Sequence, residues 1–249
     1  MVQDKSVYVK LFYDGERYYG WAKQPSRSTI QGALEECLQK VGCENVATRA
    51  SSRTDAGVSA TSQVVKISCK GEIRLDALNR VLPEDIAVTH VTQNIGRVLS
   101  KTYLYVYPER WRNPELVKEA AKIVENEVFE ALFKKGGSKP SSTCSIALSS
   151  FKGAELVQVS AKGFGYQQVR KIVKLLEMVD QKKVQPCELK ALKSVPSADS
   201  RWLILVQTNV EGEWEKIESG IEKAKKYINR KLLTIRALSA KWELALRFL

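Results

Sequence analysis

Stretches with the two-residue period of a strand alternate with stretches of helical period along this chain, and that interleaving restricts the fold more than any other feature. Residues 7 to 13, VYVKLFY, place Val7, Val9 and Leu11 on one face, as a strand with one side against a core does. After a Gly-rich turn at Asp14 to Gly20 comes STIQGALEECLQKVG. Here Ile30, Ala33, Leu34, Cys37, Leu38 and Val41 fall at helical spacing, Ser28 and Gln31 form a capping-box pattern, and Gly42 stops the helix. SQVVKISC (62–69) and IAVTHVTQ (86–93) read as strands on either side of a short helix around Leu75 to Leu82, which Pro83 ends. KTYLYVY (101–107) alternates again, with Tyr103, Tyr105 and Tyr107 on one side and Thr102, Leu104 and Val106 on the other.

The segment PERWRNP (108–114) breaks the pattern and divides the chain into two expected α/β halves, 1–107 and 108–249. Asn113 and Pro114 suit the N-cap and first position of a helix expected to run to about Lys135 and to stop at Gly136 and Gly137. A strand (AELVQVSA), a helix (YQQVRKIVKLLEMV), a short helix after Pro186 and a strand (WLILVQT) follow. From Glu211 the pattern turns basic and mostly helical. Trp214, Ile217, Ile221, Ala224 and Ile228 form one stripe and Lys216, Lys223, Lys225 and Lys226 lie largely off it, so the tail reads as a docked helix with a solvated basic face. The two halves share element order but no residue-level repeat. Strands interleaved with helices specify the α/β (α+β) class, a mixed sheet with helices packed against it.

Charge points to a class of partner. Forty Lys and Arg against 28 Asp and Glu give a net charge of +12, and such an excess attracts polyanions, RNA or DNA first among them. The single histidine, His90, sits in a strand-like stretch and reads as structural; it leaves a Ser-His-Asp triad or a histidine metal cluster little to build on. Cys37, Cys43, Cys69, Cys144 and Cys187 never take the paired spacing that holds zinc, and are expected to be buried free thiols. No apolar run approaches a membrane span, and the strand-like start leaves no room for a signal peptide, so the expected compartment is the cytoplasm.

The stretch SSRTDAGVSATSQVV (51–65) carries the chemistry. It is a polar loop just before a strand, with one carboxylate, Asp55, between Arg53 and the small-residue turn at Gly57. A guanidinium nearby favours an ionised carboxylate, and such a group on a rigid turn can act as nucleophile or base. The same residue types also make an ordinary capped turn.

Four segments together resemble one family, the tRNA pseudouridine synthase A family. Its Gly-Arg-Thr-Asp-Ala-Gly-Val-His-Ala loop is similar to Ser52 through Ala60. YDGERYYGWAKQPSRSTIQGALEECL (13–38) resembles the family's opening strand, Gly-Trp-x-x-Gln loop and helix; SKTYLYVY (100–107) resembles its Arg/Lys-x-Tyr-x-Tyr strand; and GFGYQQVRKIV (163–173) resembles its Gly-Phe-x-x-x-x-Val-Arg-x-Ile-Val helix. A weaker match runs through SADSRWLILV, with Leu203 at the leucine position, and the tail beyond about residue 211 lies outside the likeness.

The resemblance implies two similar halves forming a continuous, mixed and mainly antiparallel sheet flanked by helices, with a cleft between them, in a homodimer that grips tRNA. It implies an isomerase that rearranges uridines on the 3′ side of the anticodon stem-loop and needs no redox cofactor and no metal. Asp55 attacks the target nucleoside, at the sugar C1′ or the base C6; Tyr103 packs on the target base. Arg53 replaces the extruded base, Arg170 pairs with Asp55 through its forked donors, and Leu203, Gly57, Trp21 and Gln24 serve substrate binding. Ser52 stands for the usual Gly and Ser59 for His, Leu104 stands where Arg is common, and Glu127-Val128-Phe129 stands where His-Asp-Phe is common, which marks a divergent member. The rivals are a noncatalytic RNA-binding protein on the same scaffold and a metal-dependent nuclease; the second lacks the necessary carboxylate cluster in the sequence.

Overall fold

The computed structural model describes residues 4–127, 129–133 and 143–246. Nine strands among them form one sheet: β1 (Asp4–Tyr13), β2 (Glu44–Ala50), β3 (Ser59–Lys70), β4 (Ile86–Thr92), β5 (Val98–Tyr107), β6 (Ser145–Phe151), β7 (Ala154–Ala161), β8 (Leu203–Val210) and β9 (Glu215–Lys216). The order is β6-β7-β5-β8-β3-β1-β4-β9, with β2 also on β3. Every ladder is antiparallel except the one between β3 and β8, where Ser59 lies opposite Ile204 and Ala60 opposite Leu205. That short parallel seam joins the strands of the N-terminal part to β5, β6 and β7. The protein is therefore of the mixed α/β class that the sequence specifies.

Five α-helices among the described residues accompany the sheet: α1 (Ile30–Lys40), α2 (Leu75–Val81), α3 (Pro114–Asn126), α4 (Gln168–Asp180) and α5 (Glu218–Ala245). One core cluster joins alternate residues of β1 (Val9, Leu11, Tyr13) to Ile30, Leu34 and Leu38 of α1, and continues through Val157, Val159 and Leu205 to Ile172 and Leu176 of α4. Each fully buried aliphatic side chain of this kind contributes about 1.5–3 kcal/mol. On the other face of β1, Phe12 packs with Ala87 and Ala224, and this seats the first half of α5.

Several local expectations shift. The cap of α1 is Thr29, whose hydroxyl accepts from Gly32 N–H at 3.2 Å, rather than Ser28; Gln31 bonds Glu35 and the Lys23 N–H instead. Asn113 does precede Pro114 at the start of α3, but its side chain donates to the Asp180 carbonyl and so ties α3 to the end of α4. Helix α3 stops at Asn126, because Phe129, Ala131 and Leu132 turn back into the core; Lys135, Gly136, Gly137 and Val128 lie outside the described residues. Strands β2 and β6, and the two-residue β9 within the expected helical tail, were not foreseen. Strands β2 and β6 each have one exposed, largely polar face, which blurs the apolar alternation. Cys187 is exposed, while the other four thiols are buried. Beyond Ile228, α5 carries Leu232, Leu233, Ile235, Leu238, Trp242 and Leu244, all exposed. No described helix is long and apolar enough to cross a membrane.

Candidate active site

The loop from Ser51 to Val58 lies at the start of β3, beside the parallel seam, and buried polar contacts pin its backbone. Gln63 is fully buried; its amide accepts from Ser51 Oγ (3.0 Å) and Ser52 N–H (3.2 Å) and donates to the Ser52 carbonyl (2.7 Å). Tyr13 Oη meets Thr54 Oγ1 at 2.7 Å, and Trp21 N–H donates to the Thr54 carbonyl at 3.0 Å. Gly20 has φ +90°, and a Cβ there would stand 2.8 Å from the Thr54 carbonyl oxygen, so only glycine lets the neighbouring loop approach this closely. Gly57 (φ +82°) makes the turn after Asp55, and its N–H donates to the Tyr18 carbonyl at 3.3 Å.

Asp55 opens onto a cavity of about 340 Å³, within the usual span of roughly 300–1,000 Å³ for ligand clefts. Arg53, Lys101, Tyr103, Phe164, Arg170 and Leu203 line it with Asp55. Four elements converge here: the loop supplies Asp55 and Arg53, β5 supplies Tyr103, α4 supplies Arg170 and the start of β8 supplies Leu203. Arg170 Nη1 donates to Asp55 Oδ2 at 2.7 Å, with side chains only 14% and 26% exposed. The fork is not spent wholly on Asp55, because Arg170 Nε donates to the Ala198 carbonyl at 2.7 Å. The guanidinium is thus anchored at two points, one of them backbone.

Tyr103 is buried, with its ring edge-on to Phe164 at 5.3 Å between centroids. Burial, and then the Asp55 charge, push its phenol up to about 12, against the opposite influence of the Ser52 hydroxyl. It is neutral at physiological pH. A register shift between β5 and β8 falls between Thr102 and Tyr103, and such bulges re-aim side chains next to functional sites. Burial lowers the Lys101 ammonium, which donates to the Ser51 carbonyl.

Trp21, Gln24 and Gly57 do not line this cavity. Trp21 is buried and tilted on Tyr13 at 6.2 Å, Gln24 is on the surface donating to the Tyr19 carbonyl, and Gly57, within the loop, is next to Ser200 rather than the cavity. His90 is on β4 beside Thr89, away from the cavity. Gln63, Lys101 and Phe164 were not singled out from the sequence. Gln63 shares strand parity with Val65 and Ile67, and Lys101 with Tyr103 and Tyr105, so a polar residue on an inward face was the available signal.

A family model described as tRNA pseudouridine synthase matches residues 12–95, a span that includes Asp55. Over 213 residues the chain is 33% identical to tRNA pseudouridine synthase A of Prochlorococcus marinus (strain AS9601), covering 73% of this chain and 80% of that protein. The chain belongs to the tRNA pseudouridine synthase A family. Members from Clostridium perfringens (32% identical; 73% of this chain, 87% of that one) and Pyrococcus abyssi (29%; 90% and 92%) are similar at comparable levels. A solved structure titled as a pseudouridylate synthase superposes with a TM-score of 0.38 at 13% identity, over 90% of this chain and 75% of that one, too loosely to add to the argument. Membership makes the protein an enzyme, an isomerase of the pseudouridine synthase type. An identity near one third is what a divergent member shows.

Proposed function

We propose that this protein converts uridine to pseudouridine in tRNA, on the 3′ side of the anticodon stem-loop, with Asp55 as the nucleophile. The observation that carries this reading is the Arg170–Asp55 contact, placed in a cavity also lined by Tyr103 and Leu203. A carboxylate is ionised at neutral pH and can leave again after forming an adduct, so it suits a reaction in which one glycosidic bond is broken and remade. Attack at C1′ or at C6 frees uracil from its N1–C1′ bond. The base turns, C5 bonds to C1′, and the C5 proton is lost while N1 gains one. No atom enters or leaves overall.

Arg170 pairs with the carboxylate and holds it aimed. Tyr103 and Leu203 pack the base, and the Tyr103 phenol faces the step that removes the C5 proton. Arg53, exposed at the mouth, fills the space the flipped nucleotide leaves, because taking a base out of its stack costs a few kcal/mol that protein contacts offset. Trp21 and Gly57 contribute through the loop they hold, and Gln24 through the surface beside it. The excess of basic residues binds the tRNA backbone.

We place the enzyme in the cytoplasm as a homodimer of two-part subunits, 1–107 and 108–249. Supporting self-association, a largely apolar groove of about 520 Å³ runs between α5 and the sheet, lined by Trp202, Ile204, Ile228 and Leu232, and further along α5 Leu238 and Trp242 are exposed. The test of function is conversion of tRNA transcripts by the purified protein, with modified sites mapped. Asp55→Asn, which keeps the shape and loses the nucleophile, is expected to bind tRNA within about twofold of wild type and to make no pseudouridine beyond trace deamidation. Sustained turnover by that variant would remove Asp55 from the chemistry.

A further inference from the structure

The tail helix α5 reaches the loop that carries Asp55 through one buried carboxylate. Asp14 is only 8% exposed and gathers four donors: Tyr227 Oη at 2.7 Å, Lys231 Nζ, Ser59 Oγ at 3.2 Å and Glu16 N–H at 3.1 Å. Two come from α5 and one, Ser59, from the first residue of β3, four positions after Asp55. Lys231 also bonds Glu16 Oε2 at 2.7 Å. The Ser59 hydroxyl in turn accepts from Gly15 N–H at 3.0 Å.

The turn that Asp14 begins lies directly on the Asp55 loop. A Cβ on Gly15 would come within 2.0 Å of the Val58 carbonyl oxygen, Gly57 N–H bonds the Tyr18 carbonyl, and Trp21 N–H bonds the Thr54 carbonyl. Backbone on backbone at these distances cannot shift on one side alone. A displacement at Asp14 therefore moves the segment from Thr54 to Ser59, and a misplacement on the order of 1 Å at a reacting group can slow chemistry about a hundredfold.

We propose that Tyr227 and Lys231 of α5 are positioning residues for the Asp55 loop, acting through Asp14 and Ser59; this presupposes the role of Asp55 given above. The tail beyond residue 211, which the sequence motifs do not reach, thereby becomes part of the catalytic apparatus. Ser59, which departs from the histidine usual in the motif, is its point of attachment. Lys231 is engaged with two carboxylates rather than turned to a phosphate, so its contribution appears in the rate and not in tRNA affinity.

The experiment measures single-turnover rate and tRNA affinity for Lys231→Met, Lys231→Arg and Tyr227→Phe, each alone and in an Asp14→Asn background, at a temperature where melts show every variant folded. Lys231→Met is expected to lose roughly tenfold in rate, as for one charged hydrogen bond, with affinity within about twofold. Lys231→Arg should recover most of that loss. In the Asp14→Asn background neither α5 substitution should add a further loss, since the group through which both act is gone.

A wild-type rate for Lys231→Met, a rate loss matched by an equal loss of affinity, or losses that add in the Asp14→Asn background would each overturn the assignment. Should Lys231→Met fail to fold, Tyr227→Phe removes a single hydroxyl and carries the same comparison, with a loss of roughly threefold expected. Asp55→Asn is run in parallel. Turnover by Asp55→Asn overturns both readings, whereas an inactive Asp55→Asn beside fully active α5 variants overturns the positioning role alone.

Discussion

Arg170 and Asp55, 115 residues apart in sequence, meet at 2.7 Å through a single N–H···O contact, while a second Arg170 donor is held by the Ala198 carbonyl. Lysine can satisfy one of these acceptors but not both in the same fixed plane. Arg170→Lys should fold and bind tRNA within about twofold of wild type, and its single-turnover rate should fall roughly 10–100-fold, a loss of about 1.4–2.7 kcal/mol of transition-state stabilisation. A wild-type single-turnover rate would take Arg170 out of the site. Failure to fold would make it structural.

Gly20 offers a test of how tightly the Asp55 loop is clamped. Alanine there needs φ near +90° and brings its Cβ to 2.8 Å from the Thr54 carbonyl oxygen, with Ala56 N and the Asp55 carbonyl carbon both next at 3.1 Å. Gly20→Ala should lower stability by about 1–3 kcal/mol and slow turnover of the folded fraction as well. A variant as stable and as fast as wild type would show that the loop has slack.

Asp14 gives a signed dependence on pH. Burial alone pushes its carboxyl up, but hydrogen bonds from Lys231, Tyr227 and the Glu16 N–H, with the Lys231 charge, outweigh burial and hold it below its ordinary value. A depressed folded-state value means stability that is present above the unfolded value, roughly 3.9, and is lost as pH falls through the folded one. Lys231 is shifted upward by Asp14 and Glu16 against the effect of burial, so its own contribution fades only in alkali. Asp14→Asn should be about 1–3 kcal/mol less stable than wild type at pH 7, and should lose less stability than wild type below about pH 4. Parallel acid profiles would show that Asp14 is not the linked group.

The basic surface predicts a salt response. If the net charge of +12 serves tRNA binding, affinity falls steeply and log-linearly as salt rises, because phosphate neutralisation releases counterions. Filter binding across about 50–200 mM salt measures it. A flat response would mean that the charge does not serve the substrate.

Local periodicity was enough to read the types of most elements, though not of β2, β6 and β9. The alternation of β1 and β5, the helical stripes of α1 and α4, and the stop at Pro83 all depend on residues within a turn or two of one another, so they are legible in the chain itself. The motifs around Asp55, Tyr103 and Arg170 were legible as motifs for the same reason. What periodicity cannot carry is adjacency, since a side-chain period assigns a residue to a face but not to a neighbour. Only the folded sheet decides that β3 and β8 run side by side in parallel, and this brings Asp55, Tyr103 and Leu203 to one cavity. Only the packing shows that Arg170 divides its donors, that Gln63 bolts the loop, that Trp21 supports the site from behind, and that Asp14 takes Tyr227 and Lys231 from a helix more than two hundred residues away. Those pairings arise from register and close approach between distant segments, and nothing in the order of residues encodes them singly.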